Sequence, residues 1–195
     1  MRREAMIEAV RAQMPEKRWS HTLGVMHTSV ELANRFGADP VKAEQAAILH
    51  DVAKYWPVDR MEEALRGEGR GLADDLLDYD KELWHAPVGA LVAARDYGVT
   101  DGDVLSAIRF HTSGREDMSL LDKVVCLADY MEPGRQFPAV DKIRELAEHS
   151  LERALLAGFD STIAFLLEKG KRIYPLTVAA RNDLIVRLNR EADRQ

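Results

Sequence analysis

Cysteine is nearly absent: Cys126 is alone among 195 residues, so no internal disulfide can form. In "KVVCLADY" it reads as a small buried hydrophobe of a reducing, cytoplasmic setting. No apolar run approaches the roughly 18 residues of a membrane span. The opening "MRREAMIEAV" lacks the apolar stretch of a signal peptide and reads as a charged helix. Positive charge is not in excess, since 27 Lys and Arg face 33 Asp and Glu for a net −6. That excludes a broad basic surface for an extended nucleic acid. A polyanionic substrate would have to be attracted locally, by metal ions or a few basic side chains. Repeats, low-complexity tracts and linkers are missing too, as is any strand-like alternation with hairpin turns.

What remains is an ordinary globular balance, 46% hydrophobic and 31% charged, over a length that suits one domain, residues 1–195. Helical signals dominate. Met6, Ile7, Val10 and Met14 form a stripe on a first helix that stops before Pro15. Pro15 suits the first turn of a second helix, with Gly37 as its C-terminal cap. Asp39-Pro40 opens a third, "VKAEQAAILHDVAK", which runs toward Pro57. "VDRMEEALRG" is a short helix before a Gly-rich loop, "GEGRG". Pro87 starts a helix ending at Gly98. Thr100 with Asp103, and Ser119 with Asp122, resemble capping boxes for "VLSAIRFH" and "LLDKVVCLADYM". Further helices are expected from about Val140, Asp160 and Pro175. The expectation is an all-α bundle of roughly eight to ten helices.

The stretch "AAILHDVAK", residues 46–54, is apolar on most of its circumference yet carries His50, Asp51 and Lys54. Such groups cannot sit unpaired in a core. Comparable oddities recur elsewhere. Arg18, His21 and Gly24 succeed one another at three-residue steps and share a helix face. A helical glycine costs about 1 kcal/mol relative to alanine, so Gly24 implies that something approaches the backbone beside His21. His85 precedes the Pro87 helix, His111 closes "AIRFH", and Asp129 lies inside the apolar run "VVCLADYM". Singly, each suits a hydrogen-bonded core residue. Together they would bring four imidazoles and two carboxylates from separate helices into one interior, as helical bundles do around metal ions. His27, about 120° around the helix from His21, and His149, flanked by charges, read as non-ligating.

The order H…HD…H…H…D resembles the HD-domain superfamily of metal-dependent phosphohydrolases. The blocks "KRWSHTLGVMHTSVELANRFG", "AAILHDVAK", "WHAPVGA", "AIRFHTSG", "MSLLDKVVCLADYMEPGRQFP" and "YPLTVAARN" are similar to those of its bacterial YqeK group, the symmetrical bis(5′-nucleosyl)-tetraphosphatases. That group splits diadenosine tetraphosphate into two ADP. The HD-GYP signature of cyclic dinucleotide phosphodiesterases is absent. The resemblance implies that His21, His50, Asp51 and Asp129 hold one metal ion. Asp51 would bridge to a second, completed by His85 and His111. It also points to iron; the nitrogen and oxygen donors by themselves suit manganese or another divalent first-row ion equally.

A metal pair would activate a hydroxide for attack on an inner phosphorus. Asp51 and Lys54 are the expected catalytic residues, Lys54 lying four residues after His50 and so on the same helix face. His21, His85 and His111 would face the substrate as well as the metals. Arg18 and Arg135 are candidate phosphate clamps, Thr112 a hydroxyl donor. Tyr174 and Thr177 flank Pro175 at a helix N-terminus that favours anions, and Tyr174 could stack on a base. Three other readings stay open: another nucleotide as substrate, a di-iron oxygenase, or a non-catalytic nucleotide-binding signalling module. A homodimer is compatible with the sequence, and no membrane or extended nucleic acid is expected as a partner.

Overall fold

The computed structural model describes residues 1–67 and 75–193. Ten α-helices run through them: α1 Arg3–Arg11, α2 Glu16–Phe36, α3 Pro40–Leu49, α4 Val58–Gly67, α5 His85–Tyr97, α6 Gly102–Phe110, α7 Leu120–Met131, α8 Val140–Ala147, α9 Leu151–Glu168 and α10 Pro175–Ala192. Two short 3-10 turns, Leu76–Asp78 and Lys81–Leu83, precede α5. No strand occurs among the described residues. The all-α expectation holds; most of the "GEGRG" segment lies outside the described residues.

Two helices form the centre. In α7 every residue from Leu121 to Ala128 is buried, and α3 buries Ala43, Ala46, Ala47, Ile48 and Leu49. Helices apolar on all sides belong inside a bundle. Small alanines on α3 let neighbours approach, and α2, α5, α6 and α7 all pack against it. α8 and α10 then pack on α9, which packs on α7. Cys126 is buried in α7, as its apolar context implied.

Local chemistry sets the helix ends, and four differ from the sequence expectation. α3 stops at Leu49, not near Pro57. The next residues continue in tighter turns, Val52 N–H to Leu49 O at 3.1 Å and Lys54 N–H to Asp51 O at 2.9 Å. α6 is capped by Asp101 rather than Thr100, its carboxylate accepting from Asp103 and Val104 N–H. α9 starts at Leu151, not Asp160, because the Ser150 hydroxyl accepts from Arg153 N–H. α5 begins at His85, two residues before Pro87. The Ser119–Asp122 capping box on α7 is complete in both directions.

Candidate metal centre

Four histidines reach one interior point from four helices. His21 lies within α2, His50 caps the end of α3, His85 opens α5, and His111 caps the end of α6. Three of them repeat one local device. His50 Nδ1 donates to Ala47 O at 2.6 Å, His85 Nδ1 to Glu82 O at 2.7 Å, and His111 Nδ1 to Ile108 O at 2.7 Å. In each case the acceptor is three residues back. A carbonyl can only accept, so Nδ1 carries the proton and Nε2 presents a lone pair. α3 ends at Leu49, just where the His50 ring turns back onto the Ala47 carbonyl.

His21 is oriented by a side chain instead. Its Nδ1 lies 3.0 Å from Glu132 Oε1, and Glu132 is itself fixed by Gly134 N–H at 2.6 Å. Glu132 is only 3% exposed and lies directly over Gly24, where any Cβ would collide with its Oε2. This carboxylate is the group whose approach Gly24 signalled. Sequence reasoning missed Glu132 itself, because an acid beside Pro133 at a helix end reads as solvent-facing.

The Nε2 atoms converge on Asp51, which is 3% exposed. Its Oδ2 is 3.3 Å from His50 and 3.7 Å from His21; its Oδ1 is 3.1 Å from His85 and 4.0 Å from His111. Asp129 Oδ1 lies 3.0 Å from His21 Nε2. Ligand atoms of His21, His50 and Asp51 all fall within 4.8 Å of one another, and so do those of Asp51, His85 and His111. Asp51 belongs to both sets.

The arrangement fits divalent metal ions. His21 Nε2 and His50 Nε2 are buried with no hydrogen-bond partner, and Nε2 of His85 lies 3.1 Å from Nε2 of His111. Each of the two orphaned acceptors, His21 Nε2 and His50 Nε2, costs about 1–3 kcal/mol, and a cation among them removes that cost. The donor set of nitrogen and oxygen without thiolate suits a first-row ion. The buried charges act on the imidazoles in opposite directions. Burial, followed by the neighbouring His50 and His85, pushes His111 down to about 3, so it is neutral and able to ligate. Burial works to raise Asp51, but His50 and His85 hold it well below the usual carboxylate range. Burial works to lower His50, and the Asp51 charge outweighs it, so its pKa is raised; a metal cation at Nε2 would take the place of that proton against the same negative charge. Burial likewise opposes ionisation of Asp129, yet His21 and Arg135 keep it well below its ordinary value.

Of the expected substrate groups, most gather at the rim. Arg18 Nη1 donates to Asp51 Oδ2 at 2.8 Å. Arg135 pairs with Asp129 through its side chain and donates from Nε to the Asp129 carbonyl at 2.7 Å. Thr112 Oγ1 is 3.0 Å from His111 Nε2. Lys54 Nζ lies 3.4 Å from His85 Nδ1 and 3.0 Å from Glu82 Oε2. Its place arises from the turns after α3, which corrects the shared helix face expected with His50. Tyr174 and Thr177 are not gathered here. Tyr174, 5% exposed, packs edge-on against Tyr79 with ring centroids 5.0 Å apart, and Thr177 is buried one turn on. Buried that deeply, the Tyr174 ring offers no face for stacking on a base. His27 and His149 are exposed, as non-ligands should be.

Residues 18–134 match the HD domain family. A symmetrical bis(5′-nucleosyl)-tetraphosphatase of Bacillus subtilis is 49% identical over 95% of this chain and 98% of its own. One of Staphylococcus aureus is 38% identical over 87% and 88%. A crystal structure from Clostridium acetobutylicum, described as an HD superfamily hydrolase involved in NAD metabolism, superposes with a TM-score of 0.91. It is 41% identical and covers 96% of this chain and 98% of its own. The chain belongs to the HD-domain family, within the group that contains the symmetrical bis(5′-nucleosyl)-tetraphosphatases.

Proposed function

We propose that this protein hydrolyses diadenosine tetraphosphate to two ADP, with iron as the native metal. The observation that carries the reading is the sharing of Asp51 between two three-residue ligand sets whose imidazoles all present Nε2 inward. The names borne by the similar Bacillus and Staphylococcus proteins supply the substrate. His21, His50, Asp51 and Asp129 would hold one ion, and Asp51, His85 and His111 the other. Bound there, the metals supply Lewis-acid polarisation of phosphoryl oxygens and a water-derived nucleophile at neutral pH.

The chain's own residues then position and neutralise, which is most of phosphoryl-transfer catalysis. Arg18 and Arg135 sit against ligand carboxylates with donors left for phosphate oxygens, and a guanidinium binds phosphate through two at once. Lys54, beside His85, neutralises the departing phosphate. Its counter-ion Glu82 is 65% exposed, so exchanging that partner for a phosphate costs little. Thr112 donates its hydroxyl to a phosphate oxygen near His111. Attack at an inner phosphorus breaks the bond between the second and third phosphates, and the elements of water complete two ADP. A cytoplasmic location suits the free, buried thiol of Cys126.

The test is product analysis. Iron- or manganese-loaded protein incubated with diadenosine tetraphosphate should yield ADP alone, and a chelator should stop it. ATP plus AMP would overturn the symmetrical cleavage, and no turnover with either metal would overturn the substrate.

A further inference from the structure

Two separate concavities adjoin the cluster, and they share no lining residue. The larger, about 780 Å³, runs from His111 and Asp129 past Arg135 to Phe137 and Phe165. The smaller, about 270 Å³, runs from His85 and Lys54 to Tyr55 and Trp56. Since His85 and His111 have Nε2 atoms only 3.1 Å apart, the two hollows approach the same metal set from different walls. The end of α6 with α7, α8 and α9 builds one; the turns after α3, α4 and the turns before α5 build the other.

Each has a cation close to the cluster and aromatic surface further out; acids line them too, Glu82 in the smaller and Asp160 and Glu168 in the larger. Lys54 in the smaller hollow and Arg135 in the larger stand nearest the metal ligands. Tyr55 is 52% exposed and Phe165 is 51% exposed, the latter with the Lys169 ammonium 5.8 Å from its ring centroid. Trp56 has one face covered by the Arg60 guanidinium, 3.3 Å from the ring centroid, which leaves Tyr55 as the open ring on that side. The larger cleft has apolar walls with a few placed charges, the makings of a ligand site; the smaller is more polar, with Tyr55, Trp56, Val58 and Met61 as its apolar part. Any base can stack on an aromatic ring, because every base has a π-face.

Cleavage in the middle of a tetraphosphate puts one nucleoside diphosphate on each side of the reacting phosphorus. A site with one hollow would leave the second nucleoside in solvent. We propose that the hollow between His85 and Tyr55 binds the second nucleoside of a dinucleoside tetraphosphate, while the Phe165 cleft binds the first. This rests on the substrate proposed above.

The experiment compares parent, Tyr55→Ala, Tyr55→Phe and Phe165→Ala on diadenosine tetraphosphate, with adenosine 5′-tetraphosphate as competitor. The competitor has one nucleoside, which takes the larger cleft. Loss of a stacked base costs about tenfold in affinity. Each alanine variant should therefore raise KM for the dinucleotide about tenfold. Only Phe165→Ala should weaken the competitor relative to the parent; Tyr55→Ala should leave its inhibition constant within twofold of that of Tyr55→Phe, which also lacks the hydroxyl that interacts with Arg18 but keeps the ring. A dinucleotide KM unchanged in Tyr55→Ala overturns the proposal. Equal weakening of both compounds also overturns it, since Tyr55 would then act on the phosphates or the fold. If the parent makes ADP from the dinucleotide, either failure belongs to the second pocket alone. If it does not, the substrate reading fails and this inference falls with it.

Discussion

The Nε2 atoms of His85 and His111 lie 3.1 Å apart while the Nδ1 atom of each ring donates to a backbone carbonyl. Two lone pairs facing each other in a buried space repel, and the Thr112 hydroxyl, 3.0 Å from His111 Nε2 and 3.5 Å from His85 Nε2, has one proton and can satisfy only one of them. The Asp51 carboxylate next to them cannot relieve that repulsion, because it also only accepts. A cation satisfies all three.

Removing the shared ligand should therefore dismantle both sets. Asp51→Ala should abolish retained metal and lower kcat/KM by well over a hundredfold, more than the roughly 10–100-fold typical when a residue supporting a ligand is lost. Far-ultraviolet circular dichroism should stay close to the parent's. Metal content and activity measured together check this; full activity in the variant would contradict it.

Glu132 holds His21 without being a ligand. Glu132→Gln keeps the shape, but its amide nitrogen cannot accept, so one of the two bonds to His21 and Gly134 is lost. Metal affinity should fall about 10–100-fold, read by competition with a chelator. An affinity equal to the parent's would remove Glu132 from this role.

Gly24→Ala tests the same contact from the other side. Alanine should gain about 1 kcal/mol in helix propensity, against about 1–3 kcal/mol for forcing a methyl into a filled space. The displaced carboxylate would also release His21. The variant should be no more stable than the parent by denaturant unfolding and should bind metal more weakly. A stabilised variant with parental metal affinity would contradict the packing described here.

Metal should also stabilise the fold by mass action, since it binds the native site and the unfolded chain lacks that geometry. Loading should raise Tm, chelation should lower it, and Asp51→Ala should respond to neither. A Tm independent of metal in the parent would count against the site.

Much of this was legible in the chain. Prolines, glycines and Ser, Asp caps marked most helix ends, and the spacing of His21, His50, Asp51, His85, His111 and Asp129 marked the cluster. What was missed depends on three-dimensional competition for hydrogen bonds. α3 looked continuous to residue 54, yet the chain passes into tighter turns where the His50 ring bonds Ala47 O. α9 looked as though it began at Asp160, because Ser150 acts as a cap only when Arg153 N–H turns back to it. Glu132 could not be assigned from sequence, since its burial depends on α2 and the end of α7 meeting at Gly24. Tyr174 misled in the opposite sense: it stands where an anion site could form, yet its ring packs against Tyr79.

The most direct test of the account is a crystal structure of the iron- or manganese-loaded protein, with metal positions taken from anomalous scattering. Two ions are expected, one among His21, His50, Asp51 and Asp129, the other among Asp51, His85 and His111, with Asp51 touching both. An empty cluster in protein whose bound metal sits elsewhere would contradict it.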